Sequence, residues 1–486
     1  MIAFGRLRYC TCTMRILSSP IFVLALASLA MVMPTAANAS QNLIWKAKTP
    51  CPIPGVHHPI TFANETHGFL LTGSTNSAPA TSEFYIYNEA ADEWTDMSAT
   101  FAPPGPARSF GYGVVLPVLN STKAYFGFGA ALNGQRLSDF WELDMATLNY
   151  RQLPSLPDGH GRRHPAMNVV RKAGSSDQFE IHVGLGDTFT NGRFANLRDF
   201  WKYDIEAETW TRLPDLPSVP RHHPYYFGIG NTSYAGFGHS PSGIERDWYA
   251  LTSDSNSSAD PSWKMETSMA SYEVRVDADD ESVRPAYSDE PVTTEARVAG
   301  TQFAIELPLE GSESNLKGSL GFVLSGDGSD HGPMASGEFH AFSPAGNGLL
   351  DGPEGASSSW WRQLPPHPGY SRWAPGSFVM RGTARAYFTA GYDRALRNLY
   401  SDLWMIDLSS LFISLDEEQE VERKIQEETS TGDNVIDTNL GDMEPPALEA
   451  EAISSPSPLT SSSPRVGIFM TTTCVTAVVT AVLYFL

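Results

Sequence analysis

Cysteine is nearly absent from this 486-residue chain, which has four. Cys10 and Cys12 lie in an apolar-rich N-terminal segment and Cys474 in an apolar C-terminal run, which leaves Cys51 alone for a folded body. One thiol forms no intramolecular disulfide, and it excludes zinc sites built from several cysteines. Bases are scarce too: 33 Lys and Arg against 55 Asp and Glu give a formal net charge of −22. So acidic a chain does not track a phosphate backbone, and no nucleic-acid partner is expected. Phosphate-cradling and dinucleotide-binding loops are missing, as is a nucleophile elbow in usable context. No cofactor is expected. Long apolar runs are confined to the two ends.

The N-terminal run spans 16–33 behind Arg6, Arg8 and Arg15 and is followed by Ala37-Asn38-Ala39. Residues 1–39 therefore read as a secretory signal peptide and are set aside from fold reasoning. The C-terminal run, 466–486, is just long enough to span a bilayer. It follows a Ser/Pro-rich spacer, 454–464, and Arg465, with no basic segment after it. That order fits a glycolipid (GPI) anchor signal, with Pro456 interrupting the small-residue triplet, or else a plain transmembrane helix. Either reading places the protein in the secretory pathway, membrane-held at the cell surface or on an endomembrane. Sequons at Asn64, Asn120, Asn231 and Asn256 then read as glycosylation sites. Residues 416–451 carry thirteen acids and two bases. With its Pro-rich composition, 412–465 reads as a disordered acidic stalk.

Residues 40–411 repeat themselves. Asp199-Phe200-Trp201 is followed by Trp210, Asp139-Phe140-Trp141 by Tyr150, and Glu83-Phe84-Tyr85 by Trp94, with acid and later aromatic eleven residues apart each time. Looser copies are Asp247-Trp248-Tyr249 with Trp263, Glu338-Phe339-His340 with Trp361, and Asp402-Leu403-Trp404 with no aromatic after it. A glycine pair or its remnant precedes each: Gly73, Gly127/Gly129, Gly184/Gly186, Gly236/Gly238, Gly326/Gly328 and Gly391. Each unit reads as four short strands, the acid–aromatic segment third and the Trp segment fourth. No unit can bury its two faces alone, so the units must stack radially. Trp45 is a fourth strand without the first three, and the last copy lacks a fourth. Pairing the ends closes the ring and removes two sheet edges. The expected fold is all-β, a six-bladed β-propeller closed by an N-terminal strand, with an insertion at 266–295.

This pattern of glycine doublet, aromatic third strand and spaced Trp resembles the Kelch repeat, over about three quarters of the chain. The doublet is mostly Gly-x-Gly here, and the first unit keeps only Gly73. The resemblance implies the superfamily of the galactose oxidase central domain. A copper radical site of that kind would imply a Tyr crosslinked to a Cys, and Cys51 has no assignable partner, so no oxidase site is expected.

Two clusters are candidates for chemistry. His57-His58, His164 and His222-His223 occupy equivalent places on three units and could converge on a transition metal. No carboxylate or Cys recurs at ligand spacing, so they are read as packing and hydrogen-bonding residues, and no metal is expected. Gly326-Asp327-Gly328-Ser329-Asp330 lacks the ligand order of a calcium loop and reads as a turn. The stronger cluster is a collar in which each first strand opens with Arg or His: His57, Arg108, Arg163, His222, Arg297 and Arg372, with Arg162 and Arg221 adjacent. Second-to-third-strand loops emerge on the same face and add Arg136, Arg193, Arg198, Arg246, Arg394 and Arg397.

A concave basic mouth of this kind suits carboxylate or sulfate groups bound in a bidentate way. The structural alternative is pairing with Asp139, Asp199 and Asp402. The function expected is therefore a binding protein for an anionic glycan or acidic protein segment. Its contacts would come from His57, Arg108, Arg163, Arg193, Arg198, His222, Arg297 and Arg372. The alternative is a sugar-modifying enzyme of the same fold, as resemblance to secreted Kelch proteins like sialic-acid mutarotases implies. That reading needs a carboxylate or Tyr in the mouth. The insertion, nine acids against two bases, is expected either to cover the mouth or to remain a solvated loop.

Overall fold

In a computed structural model of the chain, each repeat unit forms a four-stranded antiparallel sheet, and six such sheets make a β-propeller. The structure describes residues 43–416 and 423, apart from 158–160, 191, 253–260, 272–273, 276–285, 288–291, 294–295, 310–311, 313, 329–330, 333, 335–336, 346–348 and 351–358. The signal peptide, Asn256, nearly all of the stalk and the apolar tail lie outside the described residues. No helix among the described residues is long and apolar enough to cross a membrane.

The innermost strands are Ile60–Ala63, Tyr112–Val115, Ala166–Arg171, Tyr225–Ile229, Thr301–Leu307 and Gly376–Val379. Each packs against the next, and the last returns to the first. Closure is as expected. Lys46–Lys48 pairs antiparallel with Leu403–Asp407, Lys46 opposite Met405 and Lys48 opposite Leu403.

Two recurrent hydrogen bonds explain why the repeat conserves glycine and tryptophan from unit to unit. At the outer edge, each closing aromatic donates to a carbonyl of the preceding blade. Trp94 reaches Thr49, Tyr150 reaches Phe101, Trp210 reaches Pro154, Trp263 reaches Pro214, Trp361 reaches Thr267, and Trp45 reaches Pro365, all at 2.8–3.2 Å. The rings meanwhile fill the gaps between blades, as Trp210 does against Phe140 and Trp263 against Phe200. Each half-buried or buried ring thus contributes apolar area and a satisfied polar hydrogen at once.

Near the axis, a glycine N–H of each blade donates to the carbonyl that enters the following one. Gly73 bonds Arg108, Gly129 Arg162, Gly186 Arg221, Gly238 Arg297, Gly326 Arg372, and Gly391 closes the circle on Val56, at 2.8–3.0 Å. These glycines have φ between 85° and 110°, a region that favours glycine. A Cβ on Gly129 would also lie 2.3 Å from the Ser109 carbonyl.

Two details extend the sequence reading. The insertion starts and ends as an antiparallel ladder, Ala270–Ser271 with Val292–Thr293 and Val274–Arg275 with Ala286–Tyr287. The folded body also passes the expected boundary at 411: Phe412 is buried, and Ile413–Ser414 pairs with Lys317 and Leu316.

Candidate functional site

Three successive residues lead into each first strand, and each has a different task. The first is Arg108, Arg162, Arg221, Arg297 or Arg372, with Val56 in the first blade. All five arginines are at most 3 % exposed. Each guanidinium binds the acid that opens the third strand of its own blade: Asp139, Asp199, Asp247, Glu338 and Asp402 in turn. The Arg108–Asp139 and Arg372–Asp402 contacts are 2.6 Å, and Arg162–Asp199 is 2.8 Å. The aromatic two residues after the acid shares its face. Trp141, Trp201 and Trp404 accordingly donate their indole N–H to Asp139, Asp199 and Asp402 at 2.7–2.8 Å. In the first blade, where Val56 replaces Arg, Glu83 accepts from the Tyr85 and Ser98 hydroxyls instead. The repeated acid–x–aromatic motif is thus the acceptor half of a buried ion pair. Arg108, Arg297 and Arg372, expected as ligand contacts, are inside the blades, because a guanidinium this buried must be paired.

The second residues line the mouth: His57, Ser109, Arg163, His222, Val298 and Trp373. They form β-bridges with Ser74, Ala130, Asp187, His239, Asp327 and Tyr392 just beyond the axial glycines. Of the expected collar only His57, Arg163 and His222 belong to this ring. Neither imidazole supplies positive charge. Burial pushes the His57 pKa down to about 4, helped by Arg394. Burial likewise takes His222 to about 4, against the opposing pull of Asp187.

The mouth's charge comes from arginine. The fully buried Asp187 carboxylate accepts from Arg163 Nε at 2.9 Å, from Arg136 at 2.9 and 3.1 Å, and contacts His164 Nδ1 at 3.0 Å. Arg394 binds buried Asp327 at 2.6 Å and lies over the Trp373 ring. Arg193, Arg246 and Arg397 are exposed on the surrounding loops. Arg198 is exposed too, 3.4 Å from Asp215. Of eight exposed large apolar side chains among the described residues, five lie on loops of this face: Leu132, Phe189, Phe194, Tyr370 and Leu396.

The third residues, His58, Phe110, His164, His223, Ala299 and Ala374, all have φ of 50–65°. In this left-handed turn their amides link blade to blade around the axis, His58 to Ala374, Ala374 to Ala299 and His164 to Phe110. Their side chains gather beneath the mouth. His58 Nε2 lies 2.8 Å from His223 Nε2, and the His164 ring stacks on His223 at 3.4 Å. Burial drives all three imidazoles well below the usual histidine range, with Arg163 acting in the same direction. On the far side of this plug the axial channel opens into a cavity of about 240 Å³ bordered by Tyr112, Asn168, Tyr226, Gln302 and Glu306. Sequence reasoning singled out the histidines but not the left-handed turn that brings them together.

Among the sequons, Asn120 is exposed. Asn64 is half-buried, and its side-chain oxygen accepts from the Thr66 and His67 amides at 2.9 and 2.7 Å.

No protein-family model matches the chain, and no curated protein matches it. Among solved structures, that of YjhT superposes with a TM-score of 0.48 and 12 % sequence identity, covering 74 % of this chain and 96 % of its own.

Proposed function

We propose that this chain is a Kelch-type propeller, held to a membrane of the cell surface or secretory pathway, that binds an anionic group in its mouth. The ligand class is an acidic glycan or an acidic protein segment. One observation carries the reading: Arg136 and Arg163 share a single carboxylate, Asp187. The blade arginines each have an acid of their own, so the surplus positive charge sits at the mouth. Arg163 binds Asp187 through Nε, which leaves the outer edge of its fork to meet a ligand carboxylate in a bidentate way. The apolar side chains on the same loops supply contact area beside it. Binding of the full chain to an array of acidic and neutral glycans tests the reading. Arg163→Ala and Arg136→Ala should each weaken retention of an acidic ligand about 10- to 100-fold, as befits a charged hydrogen bond, and added salt should weaken it further. Retention unchanged in both variants overturns the proposal.

A second reading is supported by half-buried Tyr392 in the mouth wall, paired with Trp373, the phenol that the mutarotase-like reading asks for in place of a carboxylate. Acceleration of anomer exchange in an acidic sugar, followed by NMR and lost in Tyr392→Phe, would favour it.

A further inference from the structure

The three imidazoles under the mouth are more than a packed plug. We propose that His58, His164 and His223 bind one transition-metal dication, Zn²⁺ being the best match, on the propeller axis. Three observations support this. First, one donor nitrogen from each residue lies within 4.8 Å of the other two, and all three side chains are buried. Tetrahedral geometry with Zn–N bonds near 2.0 Å needs separations of about 3.3 Å. The His58–His223 pair, at 2.8 Å, must open slightly and the widest pair must close. The stacked His164 and His223 rings, 3.4 Å apart, must also splay on binding.

Second, His164 is already oriented as a ligand. Its Nδ1 faces the Asp187 carboxylate, while its buried Nε2 has no hydrogen-bond partner. A carboxylate on one ring nitrogen fixes the tautomer whose other nitrogen offers its lone pair. Leaving that nitrogen unsatisfied is costly in a site this buried, and a metal removes the cost. His58 has the same kind of support: its Nδ1 contacts His57 Nδ1 at 2.6 Å, leaving Nε2 directed at His223.

Third, the backbone places these side chains deliberately. Non-glycine residues in the left-handed region are uncommon, yet the entry to all six first strands adopts it. On the other three blades the same position holds Phe110, Ala299 and Ala374, none of which ligates a metal. The protein therefore supplies three nitrogens and leaves a coordination position over. Three protein ligands plus an open position distinguish reactive zinc sites from closed structural ones. The lack of a carboxylate or Cys recurring at ligand spacing, which argued against a metal in the sequence, does not exclude a site built from imidazoles alone.

The test uses the full chain in detergent, stripped with a chelator and reloaded with Zn²⁺ or Co²⁺. One equivalent of Zn²⁺ should bind and raise the unfolding temperature. Co²⁺ should give the visible absorption of a low-coordinate nitrogen site, with nitrogen-only protein ligands by X-ray absorption. His58→Ala, His164→Ala and His223→Ala should each weaken metal binding more than about 100-fold, and Asp187→Asn about 10- to 100-fold. His67→Ala, at the end of its strand away from the mouth, should bind as the parent does. If the ligand variants do not fold, the cobalt spectrum and X-ray absorption of the parent chain decide. A stripped parent that takes up neither metal, or ligand variants that bind as tightly as the parent, overturn the proposal. Anion retention by the parent is scored separately and does not depend on this outcome.

Discussion

Replacing Arg162 by Met should expose the energetic logic of the blades. The arginine side chain is 1 % exposed and its Asp199 partner 18 %. They meet through two contacts of 2.8 and 3.0 Å, and Arg162 also donates to the Leu185 carbonyl at 3.2 Å. Removing one partner of a buried ion pair costs about 3–5 kcal/mol. Because Asp199 keeps some contact with solvent and with the Trp201 indole, the lower end, about 3 kcal/mol, is expected. For a body of roughly 370 residues, the unfolding entropy is about 0.8 kcal/mol/K, so the midpoint should fall by roughly 4 °C.

The pH dependence separates charge from packing. Burial pushes the Asp199 carboxyl up, but the charge and hydrogen bonds of Arg162 and the Trp201 N–H outweigh it, and the group titrates below the ordinary range. Its contribution is complete above about pH 4, the unfolded value, and is lost as pH falls through the lower folded value. In Arg162→Met the buried carboxylate lacks its cation, its pKa rises, and protonation relieves the defect. The stability gap between variant and parent should therefore be full at pH 7, begin to narrow as pH falls through the variant's raised value, and go on narrowing through the parent's lower one. Urea unfolding followed by circular dichroism between pH 3 and 7 measures this. A gap below about 1 kcal/mol at pH 7, or one independent of pH, would refute the reasoning.

Gly228→Ala places a Cβ 1.8 Å from the Val169 carbonyl of the neighbouring inner strand, and should cost about 1–3 kcal/mol or more; an unchanged thermal midpoint would contradict that close approach. Deleting 43–48 strips the Leu403–Asp407 strand of its partner, and should replace a single cooperative transition by earlier melting with aggregation, visible by scattering. Asn120→Gln should remove one enzymatically releasable N-glycan from protein expressed through a secretory pathway, seen as a single-glycan drop in intact mass.

The ring and its closure were legible because both rest on local rules written several times over. Acid, aromatic and closing Trp recur at fixed spacing, and Trp45 and Asp402 each lack what the other has. The basic collar was legible only in part. Arg162 and Arg163 are neighbours of the same type, as are Arg221 and His222 in charge-bearing potential, and spacing does not say which turns into the blade. The answer lies in the left-handed residue that follows, which breaks strand alternation and is invisible in a string containing His, Phe and Ala at that place. Asp187 was missed for a related reason. It is a lone acid just past a glycine pair, and only the fold brings Arg136 from another blade onto it.

The pairing of Lys46 with Met405 also sets a timetable. A ribosome adding about 5–20 residues per second needs roughly 20 to 70 s to make the chain between these two partners. Throughout that interval Trp45 and the strand behind it have nothing to join, and the growing row of blades ends in raw edges at both sides. Such edges are where chains of the same kind capture one another. Protection of the nascent protein by folding helpers thus matters most while the blades stand in an open row. The last blade to be made releases the first strand from waiting, and the fold becomes safe in a single late step.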